Sequence, residues 1–187
     1  MANKVKFNLK NVYYSKVTET VSTTGTTYSY ATPVAWPGAV SLSLDAEGDE
    51  TTFYADGIAY YKTFNNNGYS GDFESALIPE SFLTDIMGMT LSTSDNFLVE
   101  RSTVEPAAFA LLFQFDGDEN AIKHVLYNCK CARPQISSQT NEAGKEVRTE
   151  TVSLTATPRE DGLVKARCAN TASTAYSTWT STVYVPS

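Results

Sequence analysis

The most apolar run in the chain is the feature that most restricts how it can fold. Between Ala107 and Phe115 only one side chain is polar. Successive side chains of a strand point to opposite sides. One side of this run therefore carries Phe109, Leu111, Phe113 and Phe115, and the other carries Ala108, Ala110 and Leu112. A strand that is apolar on both sides must be covered on both, so the run predicts a central strand buried on two faces.

Alternation of apolar and polar residues predicts several further strands. It marks residues 4–10, 40–44, 121–132, 147–157 and 163–169. In the first of these segments, Val5, Phe7 and Leu9 are expected to face inward. The polar stretch 137–146 is expected to form the tip of a hairpin between two strands.

One short helix is predicted directly after Pro79. Pairs of apolar residues four positions apart then follow, Phe82 with Ile86 and Leu83 with Met87, and Gly88 stands where a left-handed stop belongs. A helix of about ten residues is not stable alone, so it must pack on a sheet. The patterns together predict one domain over residues 1–187. Its class is mainly β, an antiparallel β-sandwich or partly closed barrel with one flanking short α-helix.

A β-hairpin with aromatic residues on both faces is predicted at residues 53–61. Asp56 and Gly57 both accept a positive φ, which the usual two-residue hairpin turn requires. The expected pairs across the hairpin are Ala55 with Ile58 and Phe53 with Tyr60. On that register Tyr54 and Tyr61 lie together on the second face, and a turn at Asn67 and Gly68 would lead into a third strand of a meander.

Aromatic residues on two faces of a hairpin allow two interpretations. The strand pair could be central and buried on both sides within the domain. Alternatively, the second face could be covered by another copy of the protein, because an edge ribbon that exposes apolar area invites association.

Two segments have little strand-like periodicity. Residues 15–32 are rich in Thr, Ser, Gly and Tyr, which predicts an arm or long loop that is ordered only where it docks. In residues 171–187, helical spacing relates Ala172, Tyr176, Trp179 and Val183, although the many threonines disfavour a helix. A short helix or a docked arm is expected there.

The usual motifs of catalysis and metal binding are not found in the sequence. The one histidine, His124, stands in mid-strand without a nucleophile motif, and no pattern with zinc or phosphate-loop spacing occurs. The three cysteines are an odd number, which argues against a disulfide framework. They are expected to be small buried residues, with Cys129 and Cys131 on the same face as Val125 and Tyr127. The sequence therefore predicts no enzyme, no cofactor and no metal site.

No apolar run reaches membrane-spanning length, and Lys4 and Lys6 are not followed by a signal-peptide core. No membrane partner is expected, and we expect a protein made soluble in a cytoplasm.

The charge of the chain is divided unevenly along its length. Of the net charge of −7, residues 1–44 contribute +3, residues 45–119 contribute −13 and residues 120–187 contribute +3. Either the basic ends of one copy attract the acidic middle of another, or folding mixes the three segments into an ordinary acidic surface. An acidic wall would repel duplex DNA over a Debye length of about 8 Å and let it slide. The excess of acidic residues in the chain therefore suits a conduit for DNA better than a protein that recognises nucleic acid.

Three segments together carry a resemblance to a known family. They are NVYYSKVT near the start, ATPVAWPGAVSLSLDAEGDETTFYADGIAYY in the middle, and the ending WTSTVYVPS. Their order and amino-acid sequences resemble those of the phi13-type major tail proteins, which form the tail tube of long-tailed phages. The likeness spans most of the chain, but none of the three segments is a chemical signature.

The resemblance implies a structural virion protein. Such a subunit assembles into stacked, six-membered rings around a tape measure protein, contacts tail tip and terminator proteins, and forms the conduit for DNA ejection into the host. Double-stranded DNA would pass through it without sequence-specific binding. The implied location is the phage tail, after synthesis and assembly in the bacterial host cytoplasm.

On this basis we nominate segments 15–32, 45–71 and 171–187 for contacts between subunits. The individual candidates for these contacts are Tyr28, Tyr30, Tyr54, Asp56, Gly57, Tyr61, Asn67 and Trp179. The candidate carboxylates of the lumen are Asp72, Glu74, Glu100 and Asp116, chosen because they lie on or beside predicted strands.

Two other functions remain open at this point. The chain could be a carbohydrate- or receptor-binding β-sandwich of a virion or cell surface, with Tyr54, Tyr61 and Trp179 as exposed platforms. If the function is structural, the chain could also be a tube protein of a secretion system with a related fold.

Overall fold

The computed structural model of the chain describes residues 4–23, 25–118, 121–136, 138 and 147–186. Its elements, in chain order, are β1 (Lys4–Ser22), β2 (Gly25–Tyr30), β3 (Val34–Ala35), β4 (Ala39–Glu47), β5 (Glu50–Ala55), β6 (Ile58–Phe64), β7 (Gly68–Ser75), α1 (Glu80–Asp85), β8 (Thr90–Leu91), β9 (Leu98–Val99), β10 (Phe109–Asp118), β11 (Lys123–Cys131), β12 (Glu150–Ala156), β13 (Lys165–Cys168) and α2 (Thr174–Ser177). Strands take up 52% of these residues and helices 6%. The predicted mainly β class is confirmed.

One antiparallel sheet organises the domain. Its strands lie in the order β2-β1-β10-β11-β12-β7-β4, with β13 paired to β11 and β3 to β1. β1 and β4 lie near opposite ends of this order and also contact each other. The described strands do not close into a barrel, so the sheet has an open seam between β4 and the strands at its other end. The predicted hairpin tip at 137–146 lies outside the described residues, apart from Ser138.

The central strand β10 is buried on both faces, as the sequence predicts. Phe109, Leu111 and Phe113 belong to one group of buried residues, which we call the inner cluster. Ala110 and Leu112 belong to a second group on the other side, the outer cluster. The inner cluster also contains Tyr14, Trp36, Phe73, Phe82, Ile86, Leu126, Cys129, Val152 and Leu154. The outer cluster also contains Val17, Val125, Tyr127, Trp179 and Val183.

The short helix α1 packs on the inner cluster. Phe82 and Ile86 are fully buried, and the ring of Phe82 lies 4.3 Å from that of Trp36 between ring centroids. The helix begins after Pro79, as predicted, but it spans only six residues. Gly88 has a φ of 69°, and the Met89 amide donates to the Leu83 carbonyl across it. The predicted left-handed stop is therefore confirmed.

The first strand departs from the alternation that the sequence predicts. Phe7 is 54% exposed and does not face inward, whereas Leu9 packs against the inner cluster. Asn8 and Asn11 have φ angles of 58° and 50°, and the pairing of β1 with β10 shifts at both places. Each bulge changes the side to which the following residues point. The side chain of Val5 lies outside the described part.

The arm predicted for residues 15–32 is a β-hairpin. Residues 17–22 of β1 pair with the whole of β2, from Val17 opposite Tyr30 to Ser22 opposite Gly25. The predicted absence of strands was wrong, because threonine and tyrosine favour extended strands even where apolar periodicity is lacking. A contact of this segment with another subunit stays a prediction. The hairpin covers part of the outer cluster through Tyr28 and Tyr30.

The C-terminal segment docks on the same side of the sheet. α2 is one turn long, and the Ser173 hydroxyl accepts a hydrogen bond from the Tyr176 amide at its start. Trp179 and Val183 are buried in the outer cluster. The prediction of a short helix or docked arm is confirmed. Among the helices described, none is long and apolar enough to cross a membrane.

A bulge in β11 separates residues that the sequence pattern places together. Leu111 pairs with Leu126 and Phe109 with Cys129, so β11 has one residue more than β10 between these pairs. Val125 and Tyr127 therefore face the outer cluster, while Cys129 and Cys131 face the inner cluster. The prediction that all four share a face was wrong. Cys129 and Cys131 are buried, as predicted, whereas Cys168 is only partly buried.

Truncation on either face of β10 should unfold the protein more easily. We expect Leu111→Ala and Leu112→Ala each to lower the free energy of unfolding by about 2–5 kcal/mol, because each leaves a cavity in a different cluster. Chemical denaturation measures this difference. Val21→Ala is the control, since Val21 is 75% exposed and should change stability by less than about 0.5 kcal/mol. A Leu112→Ala variant that behaves like the control would show that the outer cluster is not a core.

The two buried thiols should be unreactive in the folded protein. Burial raises the pKa of Cys131 to about 12 and also raises the pKa of Cys129, and the thiolate is the reactive form. At pH 8 we therefore expect a disulfide reagent to label Cys168 alone in native protein and all three cysteines in denaturant. Mass spectrometry of the labelled peptides identifies the sites. Fast labelling of Cys129 without denaturant would contradict the packing of the inner cluster.

Candidate functional site

The strands β4 and β7 continue into β5 and β6 as one long ribbon. The last pair of the first ladder is Glu47 with Gly68, and β5–β6 pairing begins at Glu50 with Phe64. Between them the Asn67 amide donates to the Glu47 carbonyl at 2.8 Å, and the Asn65 amide donates to Asp49 at 3.0 Å. β6 and β7 do not pair with each other. The predicted meander, with a turn at Asn67 and Gly68, was therefore wrong.

A close approach of two backbones fixes the residue type at this point of the ribbon. A Cβ atom at Gly48 would lie 1.9 Å from the Asn65 carbonyl oxygen, so only glycine fits there. The chain passes from β6 to β7 opposite this glycine without reversing. The ribbon thus extends the sheet outward as a hairpin of six to seven residues a strand, about 20 Å long at 3.3 Å per residue.

The turn at the tip of this hairpin is the one that the sequence predicts. Asp56 and Gly57 have φ angles of 52° and 75°, and Ala55 pairs with Ile58. The rest of the predicted register was wrong. Phe53 pairs with Tyr61 and Tyr54 with Ala59, which leaves Tyr60 as the extra residue of a bulge.

The hairpin exposes large apolar side chains on both of its faces. Six of them are between 59% and 70% exposed: Phe53, Tyr54, Ile58, Tyr60, Tyr61 and Phe64. The interpretation of a strand pair buried inside the domain was therefore wrong. Scattered exposed apolar residues are normal on a surface, but a contiguous group of this size marks an interaction site. Coverage of the hairpin by another copy stays a prediction.

A second distinct surface is the outward face of β4, β7 and β12. Phe73 of β7 is buried, so its neighbours Asp72 and Glu74 point to the opposite side of the sheet. Residues paired directly with them also point outward. The outward positions of the three strands hold Ser41, Ser43, Asp45 and Glu47, then Ser70, Asp72 and Glu74, then Thr151, Ser153 and Thr155. We call this surface the acidic face.

Hydroxyl groups hold the carboxylates of the acidic face. Ser153 donates to Asp72 at 2.6 Å, and Ser41 donates to Glu74 at 2.9 Å. Thr149 also donates to Glu74. These hydrogen bonds, first that from Thr149 and then that from Ser41, hold the pKa of Glu74 below its usual range. The carboxylate of Glu74 therefore stays ionised at neutral pH, and the outward positions of the three strands contain no lysine or arginine.

The other two candidate carboxylates lie elsewhere and have cations beside them. Asp116 accepts a hydrogen bond from the Lys10 ammonium, which holds the pKa of this carboxyl group below its usual range. Glu100 pairs with Arg133 at 2.9 Å. The structure thus brings only Asp72 and Glu74 of the four candidates together. Sequence reasoning missed Asp45 and Glu47, although their alternation with Leu42 and Leu44 is visible in the sequence.

Three of the nominated contact residues pack inside the chain. Trp179 is 3% exposed, and its ring lies 5.8 Å from that of Tyr13 between centroids. The Arg159 guanidinium lies 4.2 Å from the centre of the Tyr28 ring and donates to the Tyr30 hydroxyl at 3.1 Å. Trp179 is therefore no exposed platform. Tyr28 and Tyr30 fix the β1–β2 hairpin to the domain instead of standing free on an arm.

The chemistry of the described residues gives no centre for metal binding. No group of three or more His, Cys, Asp and Glu in that part of the chain could hold an ion.

The ring of His124 stacks on Phe113 with 5.1 Å between centroids and an interplanar angle of 4°. The histidine therefore lies on the face opposite Val125, as the alternation predicts.

Comparison with known proteins assigns no family to the chain. Neither a protein-family model nor a curated protein sequence matches it. The acidic face and the exposed hairpin are therefore the features from which its function has to be argued.

Proposed function

We propose that the chain is a structural virion protein, the subunit of the tail tube of a long-tailed phage. The acidic face is the observation that carries this proposal. It combines Asp45, Glu47, Asp72 and Glu74 with hydroxyl groups, and it has no cation on its three strands. Duplex DNA carries about one charge per 1.7 Å of its axis. A wall of this kind, repeated around a lumen, would keep DNA from adhering during ejection into the host.

Assembly of such a tube needs contacts between copies, and the hairpin of β5 and β6 supports them. Its aromatic groups are solvent-exposed in the single chain, so burial against a neighbour would remove a large apolar area from water. The contact would be heterologous, since the hairpin differs from the surface that it meets, and heterologous contacts build rings or filaments. The resemblance supplies the six-membered ring and the tape measure protein inside the stack.

A binding module for carbohydrate or receptor is the second candidate. The exposed rings of Tyr54 and Tyr61 favour it, because aromatic rings provide platforms for sugars and proteins. The burial of Trp179 removes one of the three platforms. Such a module would form a small discrete complex and bind a saturable ligand, so the assembly state separates the two functions.

Replacing the exposed tyrosines should prevent assembly and leave the fold intact. We expect concentrated native protein to form hollow tubes or ring stacks in electron micrographs. The double variant Tyr54→Ser, Tyr61→Ser should not form them, because it lacks the apolar surface for the neighbour. Its melting temperature in dilute solution should match that of native protein.

Phe97→Ser is the control for this pair, since Phe97 is 71% exposed and lies outside the ribbon. It should assemble normally. A native protein that forms only a closed dimer or trimer would favour the binding module. A large loss of thermal stability in the double variant would make the tyrosines ordinary core residues.

Charge reversal on the acidic face should convert this face into a DNA-binding surface. We expect assemblies of Asp72→Lys, Glu74→Lys to retain duplex DNA in low salt and to release it as salt rises, because phosphate contacts depend strongly on salt. Retention is measured by co-sedimentation of tubes with DNA. The control Glu19→Lys, Glu160→Lys makes the same change of charge at exposed positions outside the face. Equal retention by both variants would contradict a lumen at Asp72 and Glu74.

A further inference from the structure

The open seam of the sheet forms a cleft with an apolar floor. We call it the seam cleft. Its apolar lining consists of Leu42 and Leu44 of β4, Phe113 and Phe115 of β10, and Leu126 of β11. Its volume is about 280 Å³. That is at the lower limit of pockets for drug-sized ligands, so it suits one or two side chains of a protein partner.

The polar groups that the described residues contribute to the seam cleft are all basic or neutral. Among these residues, Lys6 and Lys165 line the cleft together with His124 and the Tyr69 ring, and no carboxylate does so. The Lys6 ammonium lies 5.4 Å from the centre of the Phe115 ring, and that of Lys165 lies 4.2 Å from the centre of the Tyr69 ring. In the part of the chain that the structure describes, neither lysine pairs with an acidic side chain. The cleft therefore fits an occupant that is both aromatic and acidic.

The tip of the hairpin has this chemistry. Asp56 lies at the turn, and Tyr54, Ile58 and Tyr60 surround it in the sequence, all of them exposed. The one ion pair of the described hairpin joins Lys62 to Glu50 near its base, which leaves the Asp56 carboxylate available. This is the same complementarity that the sequence shows between its acidic middle and its basic ends.

We propose that the hairpin tip of one copy binds in the seam cleft of another copy, with an aromatic side chain in the cleft and Asp56 facing Lys6 and Lys165. The contact is between copies, because the tip side chains stay exposed within a single chain. This inference rests on the proposed function, since it names the surface that the assembly hairpin meets.

A second apolar groove of the described surface fits the tip less well. It lies beside α1 and is lined by Leu83, Met87 and Met89. Glu100 and Glu150 also line it, and a carboxylate from the hairpin would be repelled there. Charge therefore favours the seam cleft over this groove.

Chemical cross-linking of the full chain tests the contact directly. A carbodiimide joins a carboxylate to a nearby amine as an amide, with loss of water. An equal mixture of natural-abundance and ¹⁵N-labelled protein should yield a peptide in which Asp56 of one isotope is joined to Lys165 or Lys6 of the other. Mass spectrometry identifies this product and proves that it forms between copies.

Two variants and one matched control extend the test. Lys165→Glu should weaken self-association by about tenfold, since like charges then meet across the contact. Asp56→Asn should abolish the cross-link and weaken association, and asparagine keeps the positive φ of the turn. Arg167→Glu makes the same charge change two residues along β13 but outside the cleft. It should associate like native protein.

The outcomes separate this inference from the proposed function. Tubes that form without the mixed-isotope cross-link would contradict the contact but not the proposed function. The same holds if Lys165→Glu forms tubes as readily as Arg167→Glu. A closed dimer that contains the cross-link would keep the contact and overturn the tube. Failure to obtain any cross-link at the highest soluble concentration would also overturn the contact.

Discussion

Burial of β10 on both of its faces is the constraint on which the rest of the structure depends. Its alternate side chains need two separate covers, and the inner and outer clusters provide them. The curved sheet and α1 form the first cover, while the β1–β2 hairpin and the C-terminal segment form the second. The outer cluster includes residues of β10 and β11 but none of β12, β7 or β4. The outward side of those three strands is therefore left to solvent, and its residues are hydroxyls and carboxylates.

The two surfaces that support the proposed function share one pair of strands. β4 and β7 carry most of the acidic face on their outward side, and the same two strands continue into the exposed hairpin. Because a continuous hydrogen-bonded ribbon joins the hairpin to the acidic face, the position of the hairpin is tied to the position of that face. A contact made by the hairpin would thus orient the acidic face. This coupling suits a subunit whose lumen surface must align from one ring to the next.

Local patterns predicted much of this structure, and their failures have one main cause. The two-sided burial of β10, the turn at Asp56 and Gly57, the helix after Pro79 and the docking of the C-terminal segment were confirmed. The faces of β1 and β11 and the register of β5 with β6 were wrong. In each case a bulge inserts a residue and reverses the side to which the following side chains point. Alternation counted along the sequence cannot detect that change, because the bulge depends on the partner strand.

The sequence by itself determined the class of the fold, because the apolar run of β10 and the short alternating segments around it can be buried only in a two-sided antiparallel β structure. It also determined that the hairpin carries aromatic residues on both faces. Only the tertiary structure decided that Trp179 is buried and the hairpin is exposed, and that Asp72 and Glu74 share a face with Asp45 and Glu47. It likewise separated Glu100 and Asp116, beside their cations, from that face. The physical reason is that exposure and charge pairing depend on which strands become neighbours, and most neighbours in this sheet are distant in the sequence.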